Sequence, residues 1–502
     1  MIENPCFFFS SKVSVAALLS LPPPFKYRGG ETTRQGGTLY DTFDWRLYKK
    51  GYALLFNGSQ LSLLNHKLQT KGSPISSDRE PRFSADLPEY LFAELAPLIN
   101  VRALLPLATF ELDYSIGRIV DDEIKTHVWL DVSTDKEGNF IISSRSLSGY
   151  QASFEMVNLL LASSGPRTIT PLEQLYRAAG RVPLDYSGKL NLQLKAQTSA
   201  GEAARDIYLN LLTTIRQNTQ GIYEDVDSEF LHDFRVAVRR TRSALSLIKG
   251  VFPIEFTQRA KQDFRTLSHW TNSLRDLDVY LLAHDHYITL VPTAMAPDLQ
   301  WFFAQLRQNR LEALEELKER LDSKVFVQII DRWHQQLEGQ LPQGHKAQLP
   351  IRPLASHYIY KKYQSIRCMG LALHQQSSDK DLHDMRIECK ELRYLFEFFN
   401  TLYPTAKCEK LLAQLKKLQS YLGDYNDLCV QAEFISQIAL ELRPPAKQLR
   451  KALLALGTLV GSLNCKRQQL KKVCVEQVIV FIDDETYRSF HFFKQDKQRD
   501  IT

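Results

Sequence analysis

The spacing of apolar positions changes character once along this chain. Up to about residue 195, short β-type runs stand between Gly, Ser and Asp turns: Phe7-Phe8-Phe9, Tyr52-Ala53-Leu54-Leu55-Phe56, Thr126-His127-Val128-Trp129-Leu130-Asp131-Val132 and Phe140-Ile141-Ile142. Two helical stretches, near residues 88–99 and 153–161, interrupt them. That texture predicts an α+β domain of mostly antiparallel sheet over 1–195, followed by a small, polar linker at 196–202. From there to about 475 the period becomes helical. Helices are predicted near 202–220, 229–250, 255–285, 297–320, 323–340, 352–374, 380–400, 406–441 and 446–475. Breaks fall at Phe252-Pro253, Pro292, Pro342, Tyr403-Pro404 and Pro444-Pro445. Short loops favour antiparallel neighbours, hence helical bundles in the second half. The tail, 476–502, holds Val478-Ile479-Val480-Phe481-Ile482 and Phe490-His491-Phe492-Phe493, which read as an added strand or a cap over a groove.

Within the helical half one stretch carries unusual charge. On a helix, His232, Arg235, Arg239 and Arg242 fall within an arc of about 80°, beside the apolar stripe of Leu231, Phe234, Val238 and Leu245. A solvated charged face normally lies opposite such a stripe. Arginines crowded along its border repel one another unless something negative joins them. The pattern returns 151 positions later as His383, Arg386, Lys390 and Arg393. The same offset relates Phe252-Pro253 to Tyr403-Pro404, Arg265 to Lys416, Trp270 to Tyr421, Asp276 to Asp427 and Ala204 to Ala355. A constant offset over so many positions is an internal duplication, one bundle per repeat. Two arginine ladders, with rungs about 5 Å apart at the helical pitch, make a basic channel suited to a linear polyanion when the repeats pack about a pseudo-twofold axis. Asp276 and Asp427 read as partners that keep the arginines charged and aimed.

Bulk properties add little. The chain's 502 residues, 44% hydrophobic and 24% charged, describe an ordinary folded protein of two or three domains. A net charge of +6 permits an anionic partner without requiring one. Seven cysteines with no C-x-x-C fit a reduced, intracellular protein. Glu3, Lys12 and Pro22-Pro23-Pro24 argue against a signal peptide, and no apolar run is long enough for a membrane span. A cytoplasmic protein without membrane contact is expected.

The stretches Leu39-Tyr40-Asp41-Thr42-Phe43-Asp44-Trp45-Arg46-Leu47-Tyr48-Lys49-Lys50-Gly51-Tyr52-Ala53-Leu54 and Arg102-Ala103-Leu104-Leu105-Pro106-Leu107, and more faintly Ser187-Gly188-Lys189, resemble the CYTH (triphosphate tunnel) family. That family transforms triphosphates in an antiparallel barrel whose first strand, E-x-E-x-K, holds a divalent metal. The resemblance covers most of 1–195. It sets Phe8, Ser10 and Lys12 at that strand, Leu54-Leu55-Phe56 where inward arginines belong, and Asn65 in place of a lysine. Ile142-Ser143-Ser144-Arg145-Ser146 stands where paired glutamates belong. Without those carboxylates a hard cation loses its ligands. A degenerate, non-catalytic barrel with no metal or other cofactor is expected.

The H-D-x-R-x-x-x-R/K-x-x-R helix, with Arg275-Asp276-Leu277-Asp278-Val279 and its counterpart Leu422-Gly423-Asp424-Tyr425-Asn426-Asp427, resembles the CHAD family, the conserved histidine α-helical domain. The resemblance spans about 200–475. It implies two pseudo-twofold-related four-helix bundles, repeat one about 203–340 and repeat two about 352–475, that bind inorganic polyphosphate in the basic groove between them. Several members carry an N-terminal CYTH domain. Carried over by position, the phosphate contacts are His232, Arg235, Arg239, Arg242, His383, Arg386, Lys390 and Arg393, with Arg265 and Lys416 behind them. Asn272 against Gly423, and Asn426 against Arg275, blur the symmetry.

The expectation is an inorganic polyphosphate-binding protein, serving storage, granule tethering or control of phosphate metabolism. The alternatives are a metal-dependent tripolyphosphatase in the N-terminal barrel and a nucleic-acid binder. Nucleic acid would be drawn by the same arginines, but base recognition wants aromatic platforms, and the arcs have none. His232 and His383 lack an R-H-G phosphatase signature, and His284 and His286 lie on different helix faces. Lys447, Arg450, Lys451, Lys466, Arg467, Lys471 and Lys472 read as a solvated face.

Overall fold

In the computed structural model, which describes residues 5–166, 170–190, 192–443 and 445–499, the chain forms two units, Met1–Ser187 and Gly188–Thr502. Period-two alternation builds the first. Among the described residues it has nine antiparallel strands: β1 (Cys6–Phe9), β2 (Lys26–Arg28), β3 (Thr32–Thr42), β4 (Tyr52–Phe56), β5 (Gln60–Asn65), β6 (Thr70–Ser76), β7 (Leu104–Val120), β8 (Thr126–Thr134) and β9 (Phe140–Ser146). They hydrogen-bond in the order β1-β9-β8-β7-β3-β4-β5-β6, with β2 on β7. The short helix α1 (Val15–Leu18) shares an apolar cluster with Phe9, Val128, Leu130 and Ile142 on the outer face. α2 (Glu89–Ile99) covers Leu54, Phe56, Leu61 and Leu63, and α3 (Gln151–Ser163) joins the cluster around Phe9. α4 (Pro171–Ala178) sets Leu172, Leu175 and Tyr176 against Leu39, Ala53, Leu64 and Leu112.

The predicted strand runs and both predicted helices appear here, whereas β3 escaped the apolar pattern. Its Gly36-Gly37 pair has a packing cause: a side chain would meet the Phe110 carbonyl at 2.6 Å or the Phe56 carbonyl at 2.7 Å. The stretch that carries the CYTH resemblance is a structural corner between β3 and β4. Buried Asp41 accepts the backbone N–H groups of Thr42, Leu47 and Tyr48 at 2.7, 2.9 and 2.8 Å. Burial pushes its carboxyl up to about 7 against those three donors. Arg102, only 1% exposed, lies 3.6 Å from Asp44.

The second unit comprises α5 (Ala200–Tyr223), α6 (Ser228–Leu247), α7 (Ile254–Trp270), α8 (Asn272–Leu282), α9 (His284–Thr289), α10 (Gln300–Asp322), α11 (Lys324–Glu338), α12 (Ile351–Ala372), α13 (Asp379–Phe399), α14 (Thr405–Glu441), α15 (Ala446–Phe481) and α16 (Asp484–Arg499). The starts of α5, α6 and α7 recur at α12, α13 and α14, each 151 residues later. The caps recur too. Asp227 and Ser378 accept N–H bonds at the heads of α6 and α13, while Pro253 and Pro404 precede α7 and α14. Gly221 lets α5 and α6 approach closely, since a Cβ there would fall 2.2 Å from the Phe230 ring. α5 packs on α6 and α6 on α7; α12 packs on α13 and α13 on α14. The repeats also meet through equivalent helices, α6 against α13, as a pseudo-twofold relation requires.

Two expectations need correction. The helix predicted at 255–285 is broken at Thr271 and again at Ala283. The Arg235 guanidinium reaches that first break, donating to the Ser268 carbonyl at 3.3 Å and to Thr271 Oγ1 at 2.8 Å. The apolar run at 478–482 is not a strand. α15 continues through it, burying Val478 and Phe481 and exposing Ile479 and Val480. Tertiary packing outweighs β-branched propensity there. The rest of the tail is helix α16, docked on α12 by the stacked rings of Phe490 and Tyr363, 3.8 Å apart. The break at Pro444 lies outside the described residues. No described helix is long and apolar enough to cross a membrane.

One buried ion triad ties the outer layer of repeat one. Arg310 on α10 binds Asp278 at 2.7 Å and Asp225 at 2.6 and 2.9 Å, and Asp278 is only 4% exposed. Removing the cation leaves a buried carboxylate alone. Arg310→Met is expected to lower the unfolding free energy, read from helical circular dichroism in urea, by about 3 kcal/mol. Adding Asp278→Leu is expected to restore most of it; an unchanged midpoint in Arg310→Met contradicts the assignment.

Candidate anion-binding site

The buried stripes of α6 (Phe234, Val238, Leu245) and α13 (Met385, Cys389, Leu392) sink into their own bundles. Residues bordering those stripes therefore emerge where the two helices face each other. The result is a cavity of about 640 Å3 lined by Arg239 and Arg242 of α6, His383, Arg386 and Lys390 of α13, and Arg265 of α7. Those are six of the ten positions carried over from the sequence. Two contacts clamp the seam across the repeats. Arg239 Nε donates to Tyr394 Oη at 2.7 Å, and Arg240 pairs with Glu397 at 2.8 Å while also donating to the Gly188 carbonyl at 3.0 Å.

The other four positions lie elsewhere. Arg235 is engaged at the α7–α8 break, where it also donates to Asn272 Oδ1 at 2.8 Å. Arg393 turns along its own helix to Glu397, 3.3 Å away. His232 sits half-buried near the start of α6, and Lys416 is exposed on α14; neither lines the cavity. Among the lining residues that went unread in the sequence are Gln258, Lys261 and Gln262 of α7, and Tyr394. The signal for the first three existed. With Arg265 they follow i, i+3, i+4, i+7 spacing, one face of a helix. Their counterparts 151 residues on are Glu409, Leu412 and Ala413, so duplication alone could not flag them.

A second cavity of about 650 Å3 shares Ser246 and Glu391 with the first and adds Lys249, Lys346, His357, Lys361 and Lys362. Glu391 is the one carboxylate among the described residues lining either cavity, and its charge is engaged by Lys362 at 2.5 Å. Lys362 also holds Glu388 at 3.0 Å. The acids of α13 are thus drawn toward α12.

The proton affinities of the seam cations move the same way. Burial holds Lys390 down at about 7, with Arg239, Arg386 and Arg393 adding repulsion and Asp427 opposing. Burial also lowers Arg386, Arg242 and Lys261; Arg239, Arg265 and Lys249 respectively deepen the effect. Arg235 falls to about 10, chiefly through burial. Asp427 stands 3.8 Å from Arg386, and Asp276 is raised by burial while Arg235 and Arg275 pull it back. These two acids act as charge partners to the arginines. They do not neutralise the cavity, whose cations gain if an anion enters.

Lys390 also sets a stability cost. Unfolded, it titrates near 10.5, so from about pH 7 to 10.5 the folded chain binds fewer protons and stability rises with pH. Below that window the full cost of the charge is present. Lys390→Met is therefore expected to raise the melting temperature of the ligand-free protein at pH 6 by about 2 °C or more, with a smaller gain at pH 9; a lowered melting temperature contradicts the repulsion.

Among solved structures, the CHAD domain from the plant Ricinus communis is similar at 23% identity and a TM-score of 0.48, over 60% of this chain and 95% of that one. PptA from Streptomyces chartreusis is similar at 17% identity and a TM-score of 0.44, over 56% and 99%. No curated protein matches the chain. Residues 207–436 match the family model described as the CHAD domain, so the duplicated helical unit carries a CHAD domain.

Proposed function

We propose that the helical unit binds inorganic polyphosphate along the seam between α6 and α13. One observation carries the reading. Six Lys and Arg side chains from three helices converge with His383 on a single cavity whose one carboxylate is already engaged. Guanidinium forks match phosphate oxygens two at a time, and the adjoining lysine-rich cavity offers a path for a longer chain. Family membership supports the same reading. Phosphate suffices as ligand because the lining offers one aromatic ring, Tyr394, whose hydroxyl is taken by Arg239. All seven cysteines are free, which supports a reducing, cytoplasmic setting for storage or granule tethering.

Binding of long-chain polyphosphate at fixed salt is the test. Arg239→Ala is expected to weaken it about tenfold, and Arg239→Ala with Lys390→Ala about a hundredfold, at about 1.4 kcal/mol per charge-assisted contact. Lys416→Ala, outside the cavity, should stay within about twofold. Unchanged affinity in the double variant removes the site, and displacement by RNA at equal phosphate concentration points to nucleic acid instead. Affinity should also fall as pH rises from about 6 to about 8, because Lys390 loses its proton across that range. In Lys390→Met the slope should flatten.

A further inference from the structure

Side chains from eight of the nine strands line a cavity of about 520 Å3 inside the curled sheet. It offers a divalent cation one carboxylate among the described lining residues, Asp131, which Arg145 already holds at 2.8 Å. A hard cation needs several oxygen ligands, so a metal-bound triphosphate does not fit there. A richer set of reactive side chains lies on the outer face of the same unit.

Three residues from three places in the chain meet there. His127 is on β8, Asp121 follows the last residue of β7, and Ser153 stands in the first turn of α3. The imidazole Nε2 lies 3.0 Å from Asp121 Oδ2, and Nδ1 lies 2.9 Å from Ser153 Oγ. The hydrogen bond from His127 holds the Asp121 carboxyl below its ordinary range, so it is an anion and can only accept. In the neutral imidazole Nε2 therefore carries the proton, Nδ1 is bare, and the Ser153 hydroxyl donates to it. That is the order a hydrolytic nucleophile needs: a hydroxyl, a base, and a carboxylate that fixes the tautomer of the base.

Each member is held from behind. Asp121 Oδ1 accepts the backbone N–H groups of Glu123 and Lys125 at 3.0 and 2.9 Å, which leaves Oδ2 for the imidazole. The turn so closed puts β-branched Ile124 at φ 65°, a strained conformation kept only where the surroundings over-determine it. The rings of Phe25 and Tyr150 flank His127, with centroids 5.1 and 4.2 Å away. Phe154 and Val157 of α3 share an apolar cluster with Val128, the residue after His127, which sets the first turn of α3 beside β8. In that turn the N–H groups of Gln151 and Ser153 have no carbonyl partner within the helix. They are the donors for an oxyanion formed on a carbon bonded to Ser153 Oγ. Gln151 and Ala152 are exposed and Ser153 is half-buried, so the hydroxyl is approached from solvent. The nearby charges are paired, Lys125 with Glu123 at 2.5 Å and Lys26 with Asp122 at 3.2 Å, which favours an uncharged substrate.

We propose that Ser153, His127 and Asp121 form a hydrolytic site for uncharged carboxylic esters. Ser153 Oγ attacks the carbonyl carbon while His127 Nδ1 takes its proton. The C–O bond to the alcohol then breaks, and His127 returns that proton to the departing oxygen. Water attacks the acyl-serine, again through His127, releasing the carboxylic acid and restoring the hydroxyl. Asp121 acts through the imidazole, as a positioning residue.

The test treats the full chain with a fluorophosphonate probe and, separately, with p-nitrophenyl acetate. One phosphonyl group per chain is expected on Ser153, mapped by peptide mass spectrometry. Ser153→Ala should lower acetate ester hydrolysis about a hundredfold, and Asp121→Asn should lower kcat by a similar factor with KM within about twofold, a split that a merely structural turn residue would not produce. Circular dichroism should stay unchanged in both. The proposal is overturned by labelling absent from Ser153 or spread over other residues, or by undiminished hydrolysis in folded Ser153→Ala; the three side chains would then only tie α3 to the turn after β7. Should a variant not fold, the position of the label on the unaltered chain decides.

Discussion

Repulsion among the cations between α6 and α13 is the constraint on which the helical unit depends. Two like charges about 6 Å apart at an effective dielectric near 20 repel by about 3 kcal/mol, and the seam holds several. Apolar packing imposes the proximity: Phe234 and Val238 anchor one helix, and Met385 and Leu392 the other. Neutral and ionic clamps keep the helices together despite the charge, chiefly Arg239 to Tyr394 and Arg240 to Glu397. Lys362 meanwhile draws Glu388 and Glu391 toward α12. Glu388 and Glu391 are thus engaged by α12, Asp427 offsets only part of the charge at Arg386, and packing maintains the remaining repulsion.

Duplication explains how such a seam arises, and departures from symmetry explain its shape. Two copies of one helix meet face to face, so a single basic edge is used twice. The copies then diverge. α7 contributes Lys261 and Arg265 to the cavity, whereas the matching positions on α14 are Leu412 and exposed Lys416. α7 and α8 are separated at Thr271, while α14 runs unbroken through the equivalent point. Its far end packs with α15 against α8, α9 and α10 through Ile435, Leu459, Tyr287 and Phe302. One repeat became the support for the other's outer layer, and the cavity became lopsided.

Much of this was legible in the sequence. The offset of 151 announced the repeat, and the Phe252-Pro253 and Tyr403-Pro404 pairs announced the helix starts that follow them. Arg239, Arg242, Arg386 and Lys390 were legible because helical spacing beside an apolar stripe fixes which way an edge residue points. Arg235 and Arg393 share that spacing, yet local acceptors capture them: Thr271 and Asn272 for one, Glu397 for the other. No periodicity reports a competing partner. Lys261 and Tyr394 enter through the third dimension, from a helix face and a ring that the motif does not include. In the first unit, β3 was hidden by Gly36-Gly37, whose role appears only beside the carbonyls of Phe110 and Phe56.

Proton uptake on binding tests the central claim most directly. If an anion relieves the crowding on Lys390, that side chain must regain its full proton when polyphosphate enters. Calorimetric titration at pH 7 in two buffers of different ionisation enthalpy reads this number, and subtracting the value for Lys390→Met removes the ligand's own titration. About half a proton taken up per site in the difference is the expected result, since Lys390 titrates near 7 in the empty cavity. Tight binding with no difference between the two proteins would place the anion away from the seam and contradict the mechanism.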